Sequence, residues 1–104
     1  GKYNWIQQES TFWRRSLWEK AGGYIDESQK YMVDGELWCR FFQHAELYSI
    51  DAILGGYRVH GENRAIQNRN ECHQEMQLII NSMKNELPKN IITNLTGTGY
   101  KIEL

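Results

Sequence analysis

The chain has 104 residues and a formal net charge of −1, and its basic residues are scattered along the sequence. Such a charge provides no field that would attract nucleic acid or an anionic membrane, so neither partner is expected. No apolar run approaches the roughly 20 residues that span a bilayer. Any membrane attachment would therefore come from sequence outside this chain. The length allows one small domain with a single core.

The two cysteines, Cys39 and Cys72, both fall within helical patterns. They lack the Cys-x-x-Cys spacing of redox and zinc motifs, so neither chemistry is indicated. We expect free buried thiols, which are typical of a reducing compartment, and therefore predict a cytoplasmic protein.

The first predicted elements are an extended segment and a short helix. Residues 3–9 mix aromatic and polar types without a clear period, which favours extended chain. Apolar residues then recur at helical spacing between Arg15 and Ala21. The glycines Gly22 and Gly23 should end this helix because glycine tolerates the left-handed cap conformation.

A polar loop at residues 26–30 leads to a second helix, which is expected from Asp34 to His44. Its apolar residues fall on one wide face at helical spacing: Leu37, Trp38, Phe41 and Phe42. This face should contact the core.

Residues 45–50 and 52–59 are rich in β-branched and aromatic types, which favours one or two short strands. The longest helix, of about 18 residues, is expected after a loop at residues 61–67 and should end at Pro88. Its apolar stripe consists of Cys72, Met76, Ile79, Ile80, Met83 and Leu87. A turn signal then precedes a possible final strand at residues 100–104.

Three motifs follow one another in a fixed order. They are Ser10–Gly23 (STFWRRSLWEKAGG), Asp34–Arg40 (DGELWCR) and Gly56–Gly61 (GYRVHG). In this order they resemble the second half of the catalytic domain of family 2 glycosyltransferases, which are inverting enzymes that use nucleotide sugars on a GT-A fold. The resemblance covers roughly half of the chain and implies an α/β fold, a partial GT-A architecture with a few short strands flanked by helices.

The resemblance also implies that this chain supplies only one part of the enzyme. Residues 1–104 match the C-terminal, acceptor-side half of the domain, and the chain opens on Gly1. We therefore expect a fragment that is inactive alone. In the intact enzyme a nucleotide-sugar donor with Mg²⁺ or Mn²⁺ would bind mainly to the other half. The acceptor would be a glycan or a lipid-linked molecule, in a pathway such as bacterial polysaccharide synthesis.

By this resemblance Asp34 is the general base that takes the proton of the acceptor hydroxyl, and Glu36 is a secondary acid. A hydroxyl is a poor nucleophile until a carboxylate removes its proton in the transition state. The family's usual Glu-Asp pair is incomplete here, since Val33 replaces the first acid. Two other roles stay open for Asp34. It would cap the helix, or it would form a divalent-cation site with Glu36.

Five further residues are candidate ligands of the substrates. Gln8, Ser10 and Trp13 match a loop near the sugars, where amides and hydroxyls suit sugar hydroxyls and an aromatic ring can stack on a pyranose. Arg58 is placed to contact phosphate or the acidic helix, and His60 to reach the metal or the diphosphate. The ordinary alternatives are a polar loop, core packing for Trp13 and a structural ion pair for Arg58.

The rival hypothesis is a non-catalytic module for protein interaction or dimerisation. Four Trp, six Tyr and three Phe supply more apolar area than a truncated α/β layer would cover. We therefore expect the chain to form a homo-oligomer, whichever function is correct.

Overall fold

The computed structural model describes residues 6, 8–56, 58, 60, 62–63 and 67–89. The described residues form a 3₁₀ turn, Gln8–Ser10, and three α-helices: α1, Arg15–Lys20; α2, Val33–Phe42; and α3, Arg69–Met83. All three expected helices are confirmed, with ends that differ by a few residues from those predicted. The 15-residue α3 is shorter than expected because residues 84–86 form turns before Pro88.

The helix α2 lies at the centre of the core. Eight consecutive residues, from Gly35 to Phe42, are buried, so this helix is covered on all sides and not only along one stripe. It packs against α3. Their shared core consists of Leu37, Trp38, Cys39, Phe41 and Phe42 with Cys72, Met76, Ile79 and Ile80. Full burial of each large apolar side chain stabilises the fold by roughly 1.5–3 kcal/mol.

The predicted α/β fold, and with it the partial GT-A architecture, is wrong for the part of the chain that the structure describes, which contains no strand. Residues 45–50 and 52–56 run along the surface, where Ile53 is 98% exposed. Strands exist only when a second strand accepts their hydrogen bonds, and no described segment does so here. The β-branched residues raised strand propensity without supplying a partner.

Other predicted extended segments fall only partly within the described residues. Tyr57, Val59 and the expected final strand at residues 100–104 lie outside them. Within residues 3–9, Gln8 and Glu9 lie in the 3₁₀ turn instead of an extended segment.

The surface segment returns to this turn at Gly55. A Cβ atom added to Gly55 would lie 2.5 Å from the backbone oxygen of Glu9, so only glycine allows this approach. The chain after α2 is thereby brought against the segment that precedes α1.

The prediction that Gly22 and Gly23 end α1 is confirmed. The Gly22 N–H donates to Glu19 O at 3.1 Å and the Gly23 N–H donates to Trp18 O at 2.9 Å, which is the paired pattern of a Schellman cap. Both glycines have positive φ, +107° and +69°. The predicted loop at residues 26–30 is also confirmed.

The Asp26 carboxylate organises that loop. It accepts hydrogen bonds from Ser28 N–H at 3.0 Å, Ser28 Oγ–H at 2.6 Å and Gln29 Nε2–H at 3.0 Å. These bonds, those of the Ser28 and Gln29 side chains most of all, lower the pKa of Asp26 because they favour the charged form.

The start of α2 is held by a carboxylate from α3. Glu75 accepts the backbone N–H groups of Lys30, Tyr31 and Met32 at 2.7, 2.6 and 2.6 Å. These donors precede the helix, whose N-cap residue Met32 has no side-chain cap. A side chain 43 to 45 residues away in sequence therefore fixes where α2 begins.

The replacement Gly22→Ala should destabilise the fold by about 1–3 kcal/mol, because alanine at positive φ is strained. Its Cβ would also lie 2.7 Å from the Tyr24 ring. The matched control is Gly56→Ala, since a Cβ there would meet no atom within 4 Å in the part of the chain that the structure describes, its two chain neighbours aside. Urea unfolding followed by circular dichroism measures both. Equal losses in the two variants would contradict the role of the Gly22 conformation.

Candidate functional site

Asp34 lies in the first turn of α2. Its side chain is half-buried, and Oδ1 accepts a hydrogen bond from the Gly35 N–H at 2.8 Å. Capping of α2 by Asp34, one of the alternatives left open by the sequence, is wrong because the helix begins at Val33 with Met32 in the N-cap position. A negative charge in the first turn is favourable because the N-terminal end of the helix dipole is positive.

Glu36 forms a buried ion pair with Arg40, one turn later on α2. Arg40 Nε–H donates to Glu36 Oε1 at 2.7 Å, and an Nη2–H donates to Oε2 at 2.9 Å. The two side chains are only 4% and 8% exposed. Both carboxylate oxygens of Glu36 are therefore committed to the guanidinium group.

The same guanidinium group binds the turn that follows α1. Arg40 donates to the carbonyl oxygens of Ala21 and Tyr24, at 2.7 Å each, and its Cζ atom lies 4.0 Å from the centre of the Tyr24 ring. Arg40 thus joins the first of the three motifs to the second. Because the ring and the two carbonyls complete the contacts of the cation, its burial is compensated.

The ion pair between Glu36 and Arg40 opposes the divalent-cation site considered for Asp34 and Glu36. A cation would have to displace Arg40 from Glu36, which would leave a buried guanidinium without its counter-charge. In the described part of the chain, no three residues among His, Cys, Asp and Glu are grouped so that they could hold a metal ion.

His60 and Arg58 lie in an exposed loop. Within this loop the His60 N–H donates to Asn63 Oδ1 at 2.5 Å, and the Asn63 side-chain amide donates to Arg58 O at 3.1 Å. The His60 Nδ1 atom accepts the Glu62 N–H at 3.2 Å. A neutral imidazole that accepts at Nδ1 carries its proton on Nε2. His60 therefore presents a hydrogen-bond donor.

The predicted sugar-contacting residues lie before α1. Gln8 is exposed and Ser10 is half-buried in the 3₁₀ turn, and Trp13 is 40% exposed. The Trp13 ring meets Trp38 at 5.6 Å and Phe41 at 5.4 Å between ring centres, both edge to face. One side of Trp13 is therefore fixed by α2, while part of the ring stays in contact with solvent.

Trp13 borders a groove that the sequence did not predict. This aromatic groove has a volume of about 350 Å³ and lies among the segment before α1, α1 itself, the last half of α2 and residues 44–47. Its floor is formed by Trp38, Phe41 and Phe42. Of the seven residues predicted for the site, only Trp13 lines this groove.

Trp38 has a second property besides its place in the groove. Its Nε1 atom is buried and has no hydrogen-bond acceptor in the described part of the molecule. The sequence indicated only core packing for Trp38. The exposed pair Phe12-Trp13, next to the cation Arg14, was the available signal that this aromatic cluster reaches the surface.

Both cysteines are free and buried, as predicted. Burial and, to a lesser extent, the nearby Glu36 raise the pKa of the Cys39 thiol to about 12. At neutral pH the Cys39 thiolate, which is the nucleophilic form, is therefore negligible.

The replacement Glu36→Gln should lower the free energy of unfolding by about 3–5 kcal/mol, because it leaves the Arg40 charge buried without its counter-ion. The matched control is Glu19→Gln, which alters an exposed pair of the same spacing, Arg15–Glu19 at 3.0 Å. That change should cost less than about 0.5 kcal/mol. Denaturant titration of both variants is the measurement. A small loss for Glu36→Gln would show that this pair does not hold the motifs together.

Among the described residues, no helix is both long enough and apolar enough to cross a bilayer. Comparison of the chain with protein-family models, with curated proteins and with solved structures found no match. The function is therefore inferred from the motifs of the chain and from the geometry of their residues.

Proposed function

We propose that these 104 residues form the acceptor-side part of an inverting glycosyltransferase, with Asp34 as the general base. The observation that carries this proposal is the Arg40 contact that joins the turn after α1 to Glu36 on α2. It supports the view that the first two motifs act as one unit. Within that unit both carboxylate oxygens of Glu36 are bound by Arg40, and we assign the base role to Asp34, as the resemblance implies.

The roles of the two acids follow from their surroundings. Glu36 is 3% exposed and holds Arg40 in position, so we assign it a positioning role. Asp34 is half-buried at the end of a helix that is buried along most of its length. A general base must be held in a fixed position, because proton transfer requires a heavy-atom distance of about 2.6–3.2 Å to the reacting hydroxyl.

In the proposed reaction the acceptor hydroxyl oxygen attacks C1 of the donor sugar as its proton moves to Asp34. The bond between C1 and the nucleotide diphosphate breaks on the opposite side, so the anomeric configuration inverts. The nucleotide-sugar donor and its Mg²⁺ or Mn²⁺ would be bound mainly by residues outside these 104. The products are the extended acceptor, which is a glycan or a lipid-linked molecule, and a nucleoside diphosphate.

The remaining predicted residues would contact the substrates. Trp13 has an exposed ring portion for stacking on a sugar, and Gln8 and Ser10 offer polar groups in the adjoining turn. Arg58 is exposed and suits a phosphate group. The donor character of His60 Nε2 favours a hydrogen bond to the diphosphate over the metal-ligand role that the resemblance implied.

A non-catalytic interaction module is the second candidate function. It is favoured by the exposed apolar residues of the segment after α2, among them Tyr48 at 78%, Ile50 at 64% and Ile53 at 98%. Their area would be removed from water by a second molecule. This surface also supports the proposal that the chain forms a homo-oligomer.

The catalytic proposal is tested by Asp34→Asn in the polypeptide that carries these residues together with the donor-binding part. Turnover should fall by roughly 10²–10⁴ because Asn keeps the size but cannot take the proton. Release of nucleoside diphosphate from a panel of nucleotide sugars measures the rate, and thermal unfolding checks the fold. The matched control is Asp51→Asn in an exposed segment, which should retain full turnover. Full activity in Asp34→Asn would reject the base and leave the interaction module as the better candidate.

The oligomer proposal has a separate test. Light scattering of the 104-residue chain between micromolar and millimolar concentration should show a mass of at least a dimer at the upper end. The double replacement Ile50→Ser and Ile53→Ser should shift the association to higher concentration, since it removes exposed apolar area. A monomer over the whole range would contradict the proposal.

A further inference from the structure

The aromatic groove has an apolar interior that contains aliphatic as well as aromatic side chains. Nine of its fifteen lining residues are apolar, and these include Ile6, Leu17 and Leu47 beside the aromatic rings. Its volume of about 350 Å³ falls within the usual range for small-molecule sites. A sugar would need polar partners for each of its hydroxyl groups, whereas an alkyl chain needs none. The interior of the groove therefore fits a hydrocarbon chain.

The polar residues of the groove carry an excess of positive charge. Arg14 precedes α1 and Lys20 ends it, and both line the groove. Both are exposed, and neither side chain forms a hydrogen bond or ion pair within the described part of the chain. The adjacent Arg15, by contrast, is paired with Glu19 at 3.0 Å and does not line the groove.

The other polar residues of the lining do not cancel this charge. They include one anion, Glu46, whose Oε2 accepts a hydrogen bond from the Tyr48 hydroxyl at 3.0 Å. His44 also lines the groove. With two unpaired cations against one carboxylate, the groove complements a ligand that has an anionic group.

We propose that the aromatic groove binds a single-chain amphipathic phosphate, that is, an alkyl or prenyl chain that ends in a phosphate group. The chain lies against Trp13, Trp38 and Phe41, and Arg14 and Lys20 bind the phosphate. A guanidinium group and an ammonium group are the side chains that bind phosphate oxygens most strongly. The inference goes beyond the glycosyltransferase proposal: it shares Trp13 with that proposal and assigns no role to Asp34.

Decyl phosphate is the probe, used below its micelle concentration with the 104-residue chain. Binding should change the Trp fluorescence and shift the indole N–H resonances of Trp13 and Trp38, but not that of Trp18, which does not line the groove. Decyl maltoside and decyltrimethylammonium, which carry the same chain on a neutral and a cationic group, should bind at least about tenfold more weakly, a difference of about 1.4 kcal/mol. Decanoate should also bind more weakly than the phosphate.

Two double variants distinguish binding by the cations of the groove from general attraction to the positive charge of the surface. The double replacement Arg14→Gln and Lys20→Gln should weaken decyl phosphate binding at least about fivefold, which is the effect of losing two partly exposed charge contacts. The matched control, Arg15→Gln with Lys84→Gln, removes the same charge from exposed positions outside the groove and should not change the affinity.

Four results would overturn the proposal. The first is equal affinity for all four ligands, and the second is equal affinity for decanoate and decyl phosphate. The third is unchanged affinity in the Arg14 and Lys20 variant. The fourth is binding only above the micelle concentration, which would indicate a lipid surface in place of a single molecule. Thermal unfolding of each variant confirms that the exposed replacements leave the fold intact.

Discussion

The burial of one guanidinium group determines how this small domain is arranged. Arg40 is 6% exposed, and its charge is stable there only because Glu36 and two backbone carbonyls surround it. The carbonyls belong to the turn after α1, whose path in turn requires the glycines of the Schellman cap. If either the turn or the carboxylate moved, a charge would be left inside the core without partners. The position of α1 against α2, and with it the aromatic groove, follows from this requirement.

The periodicity of the sequence was sufficient to predict the helices and most of the core. Apolar spacing located α2 and α3, and glycine chemistry located the end of α1, because these features depend on residues within one or two turns of each other. The spacing of Glu36 and Arg40, four residues apart, was a local signal for their ion pair. The resemblance implies a secondary acid at Glu36, whereas in the structure both of its carboxylate oxygens are bound to Arg40.

The predictions that were wrong, and the features that were not predicted, depend on residues that are distant in the sequence. The segment after α2 has the composition of a strand, but strand formation depends on a partner that composition cannot supply. The aromatic groove exists because Trp13 and Trp38, which are 25 positions apart, meet edge to face. Asp34 is placed in the first turn of α2 as expected, yet the residue that begins the helix is Val33. A shift of one residue in the start of a helix changes which side chain occupies the N-cap position.

The contact of Glu75 with the backbone before α2 has a consequence for the order in which the protein acquires its structure. During synthesis, residues 30–32 emerge long before the carboxylate that binds their N–H groups. Closing a loop of this length costs conformational entropy before any bond is formed. The first turn of α2, where Asp34 lies, therefore becomes fixed only when α3 docks, and the two should open together in native-state hydrogen exchange. Whatever chemistry Asp34 performs is thus available only to a chain that has been completed through α3.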